Sequence, residues 1–203
     1  MAGYGSIAAV GKSLERMLNA AFADRQPVNG QQSRAVLIRT DDLKPINVPS
    51  AIGNNALSIF LYRVDFDRTM RAAWSAAGVG EGRGQLAVAL HFLLTPWADN
   101  AEHEQLILGR AMQALETTPT LTGPLLYQPP IPFADEPQPP AGEAVHLMME
   151  EVSTEALMRT FDSLPTDYRV SVPYVARVVR IATREARNAP PVTDANLRIG
   201  VTA

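Results

Sequence analysis

Leu86-Ala-Val-Ala-Leu-His-Phe-Leu-Leu-Thr95 is apolar on both faces that a β-strand presents. Leu86, Val88, Leu90, Phe92 and Leu94 share one face, and Ala87, Ala89, His91 and Leu93 share the other. Side chains alternate across a strand, so a run of this kind predicts a strand inside a sheet, covered on both sides. Pro96 is expected to end it, since proline donates nothing to a ladder. Upstream, Ala56 to Asp65 reads the same way, with Leu57, Ile59 and Leu61 on one face and Phe60, Tyr62 and Val64 on the other. This strand too is expected to be central.

Working outward, Ile7, Val10, Leu14, Met17, Leu18, Ala21 and Phe22 recur at helical spacing, with Lys12, Glu15, Arg16 and Asn19 largely opposite. The pattern predicts an amphipathic helix with Ser6 as its N-cap, ending before Pro27 and the Asn29-Gly30 turn. Ala35 to Arg39 reads as a short strand, and Asp41 to Pro49 as a loop. Asp67 to Ala77 reads as a short helix, followed by a loop carrying Gly78, Gly80, Gly82 and Gly84. A helix is expected over Ala98 to Leu115. Residues 124 to 140 hold Pro129, Pro130, Pro137, Pro139 and Pro140, a connection without regular structure. Ala144 to Met149 reads as a strand and Ser153 opens a helix carrying Leu157, Phe161 and Leu164. Tyr168 to Ile181 is a third long strand, in which Pro173 predicts an edge position or a bulge. Asn196 to Val201 has the alternation of one more strand. The order, roughly α-β-β-α-β-α-β-α-β, predicts an α/β (α+β) fold, a mixed sheet flanked by helices. Residues 1–187 are expected to form one domain and residues 188–203 a C-terminal tail.

Composition limits the function classes. The 203 residues are 46% hydrophobic and 19% charged, with a net charge of −3. A chain of this size buries roughly 70% of its unfolded surface and needs no metal or disulfide staple. Without a basic excess, nucleic acid is not expected as a partner. The absence of cysteine removes disulfides, thiolate catalysis and Cys-ligated zinc. Charges interrupt the apolar residues of the first 18 positions, so no signal peptide is expected there. No apolar run approaches a membrane span.

The motifs that carry chemistry are incomplete. Gly78-Val-Gly80-Glu-Gly82-Arg-Gly84 follows a helix and precedes a strand, the reverse of a phosphate-binding loop, and lacks the Gly-Lys-Ser or Gly-Lys-Thr ending. His103-Glu104 begins a zincin pattern, but position 107 is Ile. His91 and His146 have no partner at ligand spacing, and His91 is expected to be packed. None of the serines sits in a Gly-x-Ser-x-Gly elbow. Glu150 and Glu151 pair in sequence and are expected to stabilise a helix start. The cations of Tyr62-Arg63 and Arg177-Val-Val-Arg180 lie on strands, where an exposed face and a subunit contact are equal alternatives. No catalytic, cofactor-binding or metal residue is assigned, and no cofactor is expected.

Six segments in series carry a resemblance. They are Leu57-Ser-Ile-Phe-Leu-Tyr-Arg-Val64, Leu86 to Thr95, Gln105-Leu-Ile-Leu-Gly-Arg-Ala-Met-Gln-Ala-Leu115, Pro119-Thr-Leu, Leu157 to Leu164, and Asp167-Tyr-Arg-Val-Ser-Val-Pro-Tyr174. Their order and spacing, from about Tyr4 to Ile181, resemble the cap or tail-terminator proteins of phage-tail-like contractile injection systems. The resemblance implies a non-enzymatic structural protein with a tail-terminator-like fold. It implies a homohexameric ring seated on the terminal inner-tube and sheath subunits, ending both polymers and fixing particle length. It also implies assembly in the bacterial cytoplasm without membrane insertion. The alternatives are a phage neck or tail-completion protein and a small-molecule-binding α/β domain with the glycine loop as a lid.

Overall fold

The computed structural model describes residues 3–71, 84–127 and 143–182. In chain order these form α1 (Ser6–Asp24), β1 (Arg34–Ile38), α2 (Val48–Ala51), β2 (Ala56–Phe66), α3 (Arg68–Arg71), β3 (Gln85–Trp97), α4 (Ala101–Thr117), β4 (Thr120–Thr122), β5 (Ala144–Met149), α5 (Thr154–Asp162) and β6 (Val172–Ala182). The strands make one six-stranded sheet in the order β1-β2-β3-β6-β5-β4. β1 and β2 are parallel, and the other neighbours are antiparallel. The expected mixed sheet is therefore present, with β2 and β3 both inside it. The glycine loop, the proline-rich stretch beyond Tyr127 and the expected strand at Asn196 to Val201 lie outside the described residues.

Each face of the sheet has its own core. On the first face, Val10, Leu14, Leu18 and Phe22 of α1 and Ile107, Ala111 and Leu115 of α4 pack onto Leu57, Ile59, Leu90, Phe92 and Leu94. Burying each such large side chain contributes about 1.5–3 kcal/mol, and this face holds most of them. The second face carries a smaller cluster of Ile38, Leu43, Ile52, Phe60, Leu93, Trp97 and Phe161. The double-sided alternation of β3 thus feeds both cores.

β2 departs from simple alternation. Leu61 pairs with Phe92, but Arg63 pairs with His91, so a β-bulge inserts one extra residue at Tyr62. Two residues against one reverse the facing of everything downstream. Val64 therefore pairs with Leu90, on the same face as Leu61, rather than opposite it, and Asp65 and Arg63 join the second face.

α1 does more than cover the sheet. Glu15 and Asn19, read from the helical wheel as its outer side, turn to the free edge of β1. Asn19 Oδ1 accepts from the Ala35 N–H at 3.0 Å, and its Nδ2 donates to the Ala35 carbonyl at 2.8 Å. Glu15 Oε1 accepts from the Leu37 N–H at 2.9 Å. Four residues of helix and two of strand advance about the same distance, ~6 Å and ~6.6 Å, so side chains at i and i+4 serve alternate strand positions. The close approach needs a small residue: a Cβ at Gly11 would lie 3.2 Å from both Leu37 methyls.

Local signals moved several boundaries. Ser6 does not cap α1; the N-cap is Gly5, and the Ser6 hydroxyl donates to the Gly3 carbonyl. The expected loop after β1 contains a 3-10 turn, Thr40–Leu43, as well as α2. α4 starts at Ala101 because Asn100 Oδ1 accepts from the His103 N–H at 2.9 Å, the usual N-cap bond. Pro96 does not end β3, which runs to Trp97. β6 begins opposite Leu94, so Pro96 has a strand on one side only, and a missing donor on the open side breaks no ladder bond. Pro173 is neither at an edge nor in a bulge. It is the second residue of an internal strand, paired with Leu93, and on the β5 side its carbonyl accepts the last bond of the ladder, from the Glu150 N–H, so its missing donor falls where the ladder ends. The segment from Tyr168 to Ser171 precedes the strand, with Tyr168 and Val170 exposed.

Candidate functional site

The bulge in β2 assembles a cluster of polar groups on the second face of the sheet. It aims Tyr62 and Arg63 toward His91 of β3 and toward Glu150, the residue after β5. Glu150 is the hub. Its Oε1 accepts from Arg63 at 2.7 Å. Its Oε2 lies 2.7 Å from His91 Nδ1 and accepts from the Tyr62 hydroxyl at 3.1 Å. On the other side, Asp65 Oδ2 lies 2.9 Å from Arg63 Nε and 3.3 Å from His91 Nε2. Two carboxylates, a guanidinium and an imidazole therefore interlock, with His91 only 6% exposed.

Burial pushes the Glu150 carboxyl upward, but the hydrogen bond and charge of His91, with the Tyr62 hydroxyl and Arg63, outweigh it and hold the group below its ordinary range. Burial first, and then the Glu150 charge, push the Tyr62 phenol up to about 12. These shifts describe a closed network of donors and acceptors. The groups are consumed by one another, and the expected packed role of His91 holds in the sense that it is buried and fully engaged.

The other candidates are not brought to it. His146 Nδ1 lies 3.0 Å from Thr120 Oγ1, and His103 sits in the first turn of α4. Among the described residues no group of three or more His, Cys, Asp or Glu side chains is placed to hold a metal ion. Glu150 does not serve the start of α5 as expected; Ser153 does, its Oγ accepting from the Ala156 N–H at 3.2 Å. Ser13, Ser58 and Ser171 are engaged with the Tyr127 N–H, the Trp97 indole and the Thr95 hydroxyl respectively. The strand cations are paired within the chain. Arg177 grips the buried Asp67 through Nε and Nη2 at 3.1 and 2.7 Å, and Arg180 reaches Gln85 at 3.2 Å.

Several large apolar side chains also face outward. Val64 and Phe66 at the end of β2, Met148 and Met149 at the end of β5, Met158 on α5, and Ile46 in the turn before α2 are all exposed. Side chains of this kind at the rims of a rigid sheet suit contacts between proteins better than chemistry on a small molecule. No helix among the described residues is long and apolar enough to cross a membrane.

A mixed six-stranded sheet, helices α1 and α4 on one face and a closed polar cluster on the other, defines the tail-terminator-like α+β class expected from the sequence. The chain belongs to the family of the Pvc16 N-terminal domain, whose model matches residues 9–194. Two solved structures share the fold. One is described as the sheath/tube terminator of PVC, an extracellular contractile injection system, in the extended state. It is 22% identical with a TM-score of 0.55, covering 97% of this chain and 64% of its own. The other is described as the anti-feeding prophage tube-terminating cap, 21% identical with a TM-score of 0.51, covering 94% of this chain and 60% of its own. The chain thus spans less than two thirds of the length of either. No curated protein matches.

Proposed function

We propose that this chain is a structural, non-enzymatic cap of a contractile injection system, closing into a ring that ends the inner tube and the outer sheath and so fixes particle length. The observation that carries the reading is the family match over residues 9–194. The fold likeness to a sheath/tube terminator and a tube-terminating cap agrees with it. So does a double-cored sheet with a closed polar cluster on one face and exposed apolar side chains at its rims. A ring requires two different complementary surfaces on each subunit, because head-to-tail contacts close by rotation. The partners are further copies of the chain, expected to be six, and the terminal tube and sheath subunits. Assembly is expected in the bacterial cytoplasm.

Light scattering and negative-stain images of one purified fraction test the ring. A hexamer mass with ring-shaped particles is expected, alone or on addition of tube and sheath; a monomer that stays monomeric with both partners present contradicts it. Residues 192–202 are proposed to pair with a sheath subunit by strand addition, which relies on main-chain hydrogen bonds. Deleting residues 188–203 should then weaken sheath binding without altering the thermal transition of the domain.

A further inference from the structure

The run from Glu150 to Leu164 crosses the second face of the sheet, yet among the described residues little holds it there. At its start, the Glu150 N–H donates to the Pro173 carbonyl at 2.9 Å. After that its backbone hydrogen bonds among the described residues are local, such as Leu157 N–H to Ser153 carbonyl and Leu164 N–H to Phe161 carbonyl. Of α5 only Phe161 is buried, with Leu157 and Leu164 partly buried against the cluster of Phe60, Leu93 and Trp97. Among the described residues the other attachments are an edge-to-face contact of the Phe161 and Tyr168 rings, 5.2 Å between centroids, and the Glu150 carboxylate, the polar tie, which receives Tyr62 and Arg63 from β2 and His91 from β3.

We propose that residues 150–164 are a strap latched by the Glu150 carboxylate and released from the sheet when that carboxylate is protonated. A carboxylate accepts from all three donors at once. Its protonated form must place its own O–H among them and loses the charge-assisted part of each bond. The charged and titratable groups facing it are Tyr62, Arg63 and Asp65 from β2 and His91 from β3. β6 contributes the Pro173 carbonyl, and its cations are engaged elsewhere, Arg177 with Asp67 and Arg180 with Gln85. None of these supplies a second acceptor to replace Glu150 as the tie to the strap, since Asp65 belongs to the sheet itself. Release bares the apolar cluster beneath, so the same change loosens the strap and opens a surface.

The sign follows from the depressed titration of Glu150. A carboxyl held below its unfolded value contributes stability above that value and loses it as pH falls through the folded one. The strap is therefore latched at neutral pH and let go below the ordinary glutamate range, ~4.3.

Hydrogen–deuterium exchange on the full chain, corrected for intrinsic rates at each pH, tests the proposal. In Glu150→Gln at pH 7, residues 151–164 should exchange about tenfold faster than in the unaltered chain, as loss of a charged hydrogen bond implies, while α1 and β3 stay unchanged. The unaltered chain should approach the variant as pH falls, and the two should merge. Tyr62→Phe should keep the pH dependence, because Arg63 and His91 still hold the carboxylate. Equal protection of the strap in both chains at pH 7 would overturn the proposal. So would a gap that persists to the lowest pH, or strap exchange that rises only together with α1 and β3.

Discussion

Replacing Asn19 by alanine tests whether α1 seals the edge of the sheet. Asn19 makes three hydrogen bonds: to the Glu15 carbonyl at 2.9 Å, to the Ala35 carbonyl at 2.8 Å, and from the Ala35 N–H at 3.0 Å. Ala35 is 3% exposed, so its two backbone groups have little access to water. Each buried group left without a partner costs about 1–3 kcal/mol. Water entering beside the partly exposed Asn19 recovers some of this, which puts Asn19→Ala at ~3 kcal/mol. In a domain of this size that is a fall of ~6–12 °C in Tm. Urea denaturation followed by circular dichroism measures it, with the slope against urea unchanged. Asn19→Asp is the sharper control. It keeps an acceptor for the Ala35 N–H but sets a carboxylate against the Ala35 carbonyl, so it should be no more stable than the alanine variant. A loss under ~0.5 kcal/mol for alanine, against typical bond values of ~1 kcal/mol, or an aspartate variant near wild type, would refute the edge-sealing account.

Two further expectations rest on single groups. Asp67 receives both Arg177 contacts through Oδ2, while its Oδ1 accepts from the Thr69 and Met70 N–H groups. Asp67→Ala should therefore cost ~2–3 kcal/mol, less than a fully buried pair because Arg177 is partly exposed, and a double-mutant cycle with Arg177→Met should show positive coupling; simple additivity would contradict the pairing. Tyr62, pushed up to about 12 by burial and the Glu150 charge, favours the folded state below its unfolded value of ~10 and loses that contribution as pH rises toward the folded one. Stability measured from pH 9 to 12 should fall more steeply in the unaltered chain than in Tyr62→Phe, and parallel curves would count against the assignment.

The two faces of β3 and the helical period of α1 were legible in the sequence because each is a local pattern repeated over several turns or pleats. The same local reading failed where a residue's partner comes from elsewhere. A helical wheel assigns Glu15 and Asn19 to the outside because it knows only the axis of α1; the neighbouring strand edge makes that side a second inner one. Counting alternation along β2 put Val64 opposite Leu61, since nothing in the residues marks Tyr62 as the extra residue of a bulge. Pro96 read as a strand terminator and Pro173 as the mark of an edge or a bulge, but the effect of each depends on which neighbouring strands extend past it.

The polar cluster was invisible for a plainer reason. Tyr62 and Glu150 are 88 residues apart, and His91 and Glu150 are 59 apart, with no spacing rule linking them. Alternation and helical period, which are properties of one segment at a time, determined the types of the long elements, the double cover of β3 and, through six segments in series, the resemblance to terminators; the short β4 and α2 carry too few residues to show a period. Strand order, the bulge and the edge contacts were decided only by the tertiary structure, because they depend on which segments lie side by side, and so was the placement of Glu150 over His91.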